Sequence, residues 1–143
     1  MAYNEGLVSI TLEADATLAV YTGVPGQPGS ANPNGGKQYN FVQITGVKTV
    51  GLADDTVTDS VIGVLQNKPQ YTGSAATIAI AGVSKVEAGG TIAAGNALSV
   101  KADGTAIVAT AGKPVVGYAL TAGADGEIIS VVLSGPGASP VIS

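Results

Sequence analysis

No histidine, cysteine, tryptophan or arginine occurs among the 143 residues. Without histidine the chain has no side chain that titrates near neutrality at its ordinary pKa. Without cysteine it has no thiolate nucleophile, no cysteine-ligated zinc and no disulfide. The six lysines stand singly at Lys37, Lys48, Lys68, Lys85, Lys101 and Lys113. Nucleic-acid binding calls for a clustered basic face with arginine or stacking aromatics, and neither is present. No apolar run approaches the ~18 residues of a membrane-spanning helix. Met1–Gly6 has no basic region followed by an apolar stretch, so it does not read as a secretory signal.

What remains is small, aliphatic and weakly acidic. Apolar residues make up 45% of the chain but aromatic ones only 4%, so the core must be assembled from Val, Ile, Leu and Ala. Each such buried Val, Leu or Ile contributes about 1.5–3 kcal/mol before chain entropy is set against it. A chain of this length forms one domain, able to bury roughly 68–70% of its unfolded surface. A lean core of this kind gains from association with further copies. The formal charge is −4, from ten acids against six lysines.

Along the chain the pattern is strand and turn. Leu7–Leu12 alternates, with Val8, Ile10 and Leu12 on one face and Leu7, Ser9 and Thr11 on the other. A second strand is predicted over 17–21, and the two form either an extended N-terminal arm or the first strands of a sheet. Pro25, Pro28 and Pro33 then alternate with Gly23, Gly26, Gly29, Gly35 and Gly36, which predicts a long exposed loop. Its two Gly-x-x triplets are too few for a collagen triple helix. Tyr39–Val50 reads as a strand or hairpin broken at Gly46, followed by a polar turn holding Asp54, Asp55 and Asp59. Further strands are predicted over 61–66, 77–81, 83–87, 97–100, 105–108, 115–120 and 127–133, with Asp103-Gly104 and Asp125-Gly126 as turns.

The expected fold is therefore all-β, a small barrel or sandwich with an extended N-terminal arm and a long Pro/Gly-rich loop. One domain is divided into arm or first strands (1–21), loop (22–38), β body (39–133) and C-terminal tail (134–143). Val61-Ile62-Gly63-Val64-Leu65 is echoed by Val115-Val116-Gly117-Tyr118-Ala119, and each precedes an alternating strand. Internal duplication and chance similarity among Val/Gly-rich strands both account for the echo.

Motifs that carry chemistry do not survive inspection. The Asp54, Asp55 and Asp59 group lacks the alternating ligands, central glycine and final glutamate of a calcium loop. Ser84 and Lys85 adjoin in a strand, so their side chains point apart and cannot activate one another. There is no phosphate-binding glycine loop and no nucleophile elbow, and Gly135-Pro136-Gly137 belongs to a tail. Gly89 to Leu98 has the look of a biotinyl or lipoyl carrier turn, yet Lys85 lies within a strand rather than at a hairpin tip. These readings assign no catalytic residue, no cofactor and no metal.

An ordered series remains: Val61 to Pro69, Ala79 to Val86, Gly89 to Leu98 with Ala94-Gly95-Asn96, Pro114 to Leu120, and Gly126-Glu127-Ile128. In order and spacing it resembles the capsid decoration, or cement, proteins of tailed bacteriophages, over about Tyr39 to Leu133. Phe41-Val42 resembles that family's early Phe-Val strand, while the Pro/Gly loop before it departs from the pattern. The resemblance implies a virion structural protein on the outer capsid surface, made in the host cytoplasm. Its implied partners are the major capsid protein and itself, as a homotrimer, with no cofactor, nucleic acid or membrane.

The alternating segment supplies the expected partner interface, Leu7, Val8, Ile10 and Leu12, pairing with a strand edge of a neighbouring copy or of the capsid protein. Removal of residues 2–12 is expected to leave the β body folded. The competing readings are a glycan-binding or adhesin-like module, for which five dispersed tyrosines are a poor stacking platform, and a hydrolase using two acids among Glu13, Asp15, Glu87, Glu127 and the Asp54, Asp55 and Asp59 cluster.

Overall fold

The computed structural model describes residues 6–22, 29–32, 35–54 and 61–134. Most of the Pro/Gly run, Asp55 and Asp59 of the acidic turn, and Gly135-Pro136-Gly137 lie outside the described residues. Those described form no helix. Nine strands follow one another: β1 (Leu7–Ala14), β2 (Phe41–Gly46), β3 (Thr49–Leu52), β4 (Val61–Leu65), β5 (Ala75–Glu87), β6 (Ala97–Val100), β7 (Ala106–Val108), β8 (Gly117–Ala119) and β9 (Ile128–Leu133). They hydrogen-bond in the order β1-β3-β2-β4-β5-β9-β8-β6-β7. A further β1–β5 pairing closes the first five into a barrel.

Three expectations change. Leu7–Ala14 is not an arm: it pairs antiparallel with β5 from Leu7↔Gly82 to Glu13↔Ala75, and parallel with β3 at Glu13↔Thr49 and Ala14↔Val50. Removing 2–12 would therefore open the barrel, and the body would not remain folded. Residues 17–21 are a turn ending in a lone Tyr21↔Ala31 bridge. Leu18 is carried into the barrel core there. The segments 77–81 and 83–87 are one strand bent at Gly82, whose φ of 91° is a left-handed conformation suited to glycine. A Cβ at Gly82 would lie 1.9 Å from the Gly6 carbonyl oxygen.

The bend divides β5 between two units of the same design. In the first unit β2 pairs with β3 through Val42↔Leu52 and with β4 through Val42↔Gly63. In the second, β6 pairs with β7 through Leu98↔Val108 and with β8 through Leu98↔Gly117. Leu12↔Ala76 and Glu13↔Ala75 between β1 and β5 recur as Val86↔Ile129 and Glu87↔Ile128 between β5 and β9. The parallel Ala14↔Val50 pair recurs as the Ala88↔Ala106 bridge. Thus the far half of β5 does for the second unit what β1 does for the first.

Turns repeat as faithfully. Asp15 N donates to Val50 O at 2.9 Å, as Gly89 N does to Ala106 O at 2.7 Å. Gly73 N donates to Ala14 O at 2.7 Å, as Gly126 N does to Ala88 O at 2.8 Å, and both glycines have positive φ. Tyr39 (φ 70°) stands where the second unit has Gly95 (φ 90°), and Lys48 (φ 53°) where it has Gly104 (φ 81°). The two non-glycine residues in left-handed backbone thus sit at turns that glycine makes in the other unit. Of the two readings of the sequence echo, the structure supports duplication.

The cores match residue for residue. Ala14, Leu18, Val42, Val50, Leu65, Ala76 and Ile78 fill the first unit, and Ala88, Ile92, Leu98, Ala106, Ala119, Ile129 and Val131 hold the same places in the second. The second cluster also takes in Phe41, Ala53, Val64 and Ala79 from the outside of the first unit. That shared cluster joins the units, with a crevice of about 10 Å³ between Phe41, Ile62, Ile80, Val116 and Leu133.

Candidate interaction surfaces

Among the described residues, β1 has an unpaired edge over most of its length. Only Glu13 and Ala14 meet β3, so Leu7 to Leu12 are held from the β5 side alone. Leu7, Val8 and Ile10 are exposed, whereas Leu12 is half-buried against the barrel core. The four residues expected from the sequence therefore lie on one strand, and three face solvent. The β2–β3 hairpin adds Ile44 on β2, 51% exposed, and Val47 at its turn, 90% exposed, neither of which the sequence reading named. A strand edge with free amides and carbonyls flanked by apolar side chains is a template for strand addition.

A second apolar surface lies on the outer face of β8 and β9. Tyr118 pairs across from Val132, and Leu120 and Ile128 stand on the same face. All four are exposed, and the sequence reading missed all four. The duplication is the signal that finds them: Tyr118 and Val132 occupy the places of Val64 and Ala79, which are fully buried at the junction between the units.

Between the units runs an open groove of about 250 Å³ bordered by Leu7, Tyr39, Gln66, Val83, Lys85 and Ser130. The Lys85 ammonium sits 5.9 Å from the Tyr39 ring centroid, a cation–π contact. Ser84 is turned the other way, as alternation requires. Its hydroxyl donates to Lys85 O and accepts from Gln66 Nε2, each at 2.9 Å. The pair therefore cannot work as nucleophile and base.

Asp15, Asp103 and Glu127 are engaged in local structure. Asp15 accepts from Thr17 N at 2.8 Å and from the Thr45 hydroxyl at 2.9 Å, and Glu127 accepts from Ala124 N at 2.6 Å. Burial pushes the Asp103 carboxyl up, but the Thr105 hydroxyl and amide with the Lys101 ammonium outweigh it and hold the group below the usual carboxylate range. Among the described residues no three metal-ligating side chains gather, and no helix is long and apolar enough to cross a membrane.

The fold is an all-β one, a closed five-stranded barrel followed by a second unit that repeats its strand registers, with two exposed apolar faces. No family model matches the sequence, and no curated protein matches it either. Among solved structures, the chain is similar to the N-terminal base of the head fiber protein gp8.5 of bacteriophage phi29. The TM-score is 0.59 at 20% identity, over 90% of this chain and 95% of that one. At that identity the likeness is one of fold.

Proposed function

We propose that this chain is a structural protein of a bacteriophage virion that binds the outer surface of the head and stabilises the shell by bridging neighbouring capsomers. One observation carries the reading: the likeness to a head fiber base extends over nearly the whole of both chains, so the entire fold, and not a common substructure, is shared. The decoration-protein resemblance of Tyr39 to Leu133 agrees with it. The composition suits the task, since the molecule offers apolar faces and a strand edge rather than reactive side chains.

Binding only to the assembled lattice stabilises it by mass action. Association into a homotrimer would let individually weak contacts act together through effective concentration. The edge of β1, with Leu7, Val8 and Ile10, is the primary bonding surface, and the reading involves no catalytic step and no cofactor. Purified protein mixed with undecorated, expanded heads of its phage tests this by cryo-electron microscopy. Density at fixed lattice positions and a raised melting temperature of the heads are expected. Heads that stay bare at saturating protein would end the proposal.

A further inference from the structure

We propose that the open face of the first unit binds the outer face of the second unit of another copy of this chain, head to tail. The contact between molecules would repeat the contact that joins the two units within one molecule. The inference gives a surface to the self-association in the reading above, and rests on that part of it.

Within one molecule the junction has two sides. The first unit contributes Phe41, Val64 and Ala79, and the second contributes Val100, Val116 and Leu133, all in one buried cluster. Because the units are equivalent, each side exists a second time, and among the described residues each leaves apolar side chains exposed, although Ile62 and Ile80, the counterparts of Val116 and Leu133, are half-buried beside the internal crevice. The second unit's Ala97, Tyr118 and Val132 stand in the places of Phe41, Val64 and Ala79. Tyr118 is 46% exposed where Val64 is fully buried. The first unit's Ile44 stands in the place of Val100 and is 51% exposed against 4%. Likewise Ile10, exposed, stands in the place of Ser84, which is buried.

The backbone points the same way. Inside the molecule, Tyr39–Phe41 is wedged between the second unit's first strand and its hairpin turn: Glu87 N donates to Tyr39 O at 2.9 Å, and Phe41 N donates to Gly104 O at 2.8 Å. In the first unit the corresponding slot has closed on itself, with Glu13 N donating directly to Lys48 O at 2.9 Å. The segment able to fill it is Gly95 to Ala97 of another copy, since it corresponds to Tyr39–Phe41, and there Gly95 is exposed and Ala97 half-buried. On docking, Glu13 N would donate to Gly95 O and Ala97 N to Lys48 O, so one hydrogen bond is exchanged for two.

Side-chain size is consistent with this. A Cβ at Gly104 would lie 2.5 Å from Leu52 Cδ1, so a side chain there would have to displace the Leu52 terminus. Lys48 holds that position in the first unit, and the residue that would press on it is Val108, the shorter counterpart of Leu52. Both halves of the contact are carried on one chain, each left over once, which selects a second copy as the occupant. An interface of this heterologous kind yields closed rings or open chains.

Sedimentation velocity of the whole protein tests the proposal, with Ile44→Asp on the receiving face and Val132→Asp on the inserting face. Both sites are exposed, and circular dichroism checks that each variant is folded; Tyr118→Asp replaces Val132→Asp if it is not. The wild type should form species larger than a monomer, and each variant alone should lose self-affinity by about tenfold or more. A mixture of the two should form a dimer and nothing larger, because a single intact pair of faces remains. Wild-type assembly that neither substitution weakens, or a mixture that gives no dimer, would overturn this surface and leave self-association standing. A wild type that is monomeric at every concentration would overturn both.

Discussion

The two units share their strand registers, yet the first is closed by a strand of its own and the second borrows the far half of β5. Among the described residues the first unit therefore presents a bare strand edge, while in the second Tyr39–Phe41 is inserted beside the strand at Glu87. One design in two settings separates what the fold requires from what the neighbour requires. Glycine recurs in both units at Gly63 and Gly117, where β4 and β8 cross the backbone of the next strand. It is replaced by Tyr39 and Lys48 at turns that keep the left-handed backbone.

The largest expected effect comes from removing residues 2–12. This takes away β1, the only strand that closes the first barrel, and exposes the Ala76 and Ile78 side of the core. Cooperative thermal unfolding followed by circular dichroism should be lost altogether. A truncated protein that melts like the full chain would show that β1 is an appendage and the comparison false.

Next in size are the paired glycines. A Cβ at Gly63 would stand 1.9 Å from Ala79 O, and one at Gly117 would stand 2.6 Å from Val132 O. Gly63→Ala should cost about 3 kcal/mol or more and Gly117→Ala about 2 kcal/mol in urea unfolding. The reverse order would mean that β8 is the more tightly held of the two strands.

A reciprocal exchange sharpens the comparison at the hairpin turns. Lys48→Gly should stabilise by about 0.5–1 kcal/mol, because it relieves a left-handed backbone at an exposed turn. Gly104→Lys should destabilise by about 2 kcal/mol, because Leu52 already fills the space its side chain would need. Equal and small effects in both directions would deny that the two turns have different neighbours.

The smallest effect is on acid stability. Asp103 is held below its ordinary pKa of 3.8 when folded, so it contributes stability that is present above that value and is lost as pH falls through the lower folded pKa. Val47 holds its place in the first unit and cannot titrate. Asp103→Asn should flatten stability against pH in that acid range and leave it unchanged in slope near neutrality, as read by urea unfolding at a series of pH values.

Most strands and turns were legible in the sequence because alternation and Asp-Gly pairs report local backbone directly: β6 spans Ala97–Val100 as expected, and both Asp-Gly turns place glycine at positive φ. Gly82 misled, since a glycine inside an apolar strand reads as a break, whereas here it bends one strand to serve two units. Residues 17–21 alternate like a strand but exist to bring Leu18 into the core, a demand set by tertiary packing. The exposed apolar set was half visible: β1 alternation identified Leu7, Val8 and Ile10, but the exposure of Ile44 and Val47 is set by how the β2–β3 hairpin packs. The wider repeat was also written in the chain, with Leu12-Glu13-Ala14-Asp15-Ala16-Thr17-Leu18 matched by Val86-Glu87-Ala88-Gly89-Gly90-Thr91-Ile92. The correspondence is hard to see because the Pro/Gly loop has no counterpart and shifts the later strands out of a fixed spacing.

Amide hydrogen exchange of the wild-type protein against the Ile44→Asp variant tests most directly the claim that one duplicated unit leaves one complementary pair of faces open. Slower exchange confined to Glu13, to Lys48 and its neighbours, and to Gly95–Ala97 is the predicted result. Identical exchange at those three places, or slowing spread evenly over both barrels, would contradict it.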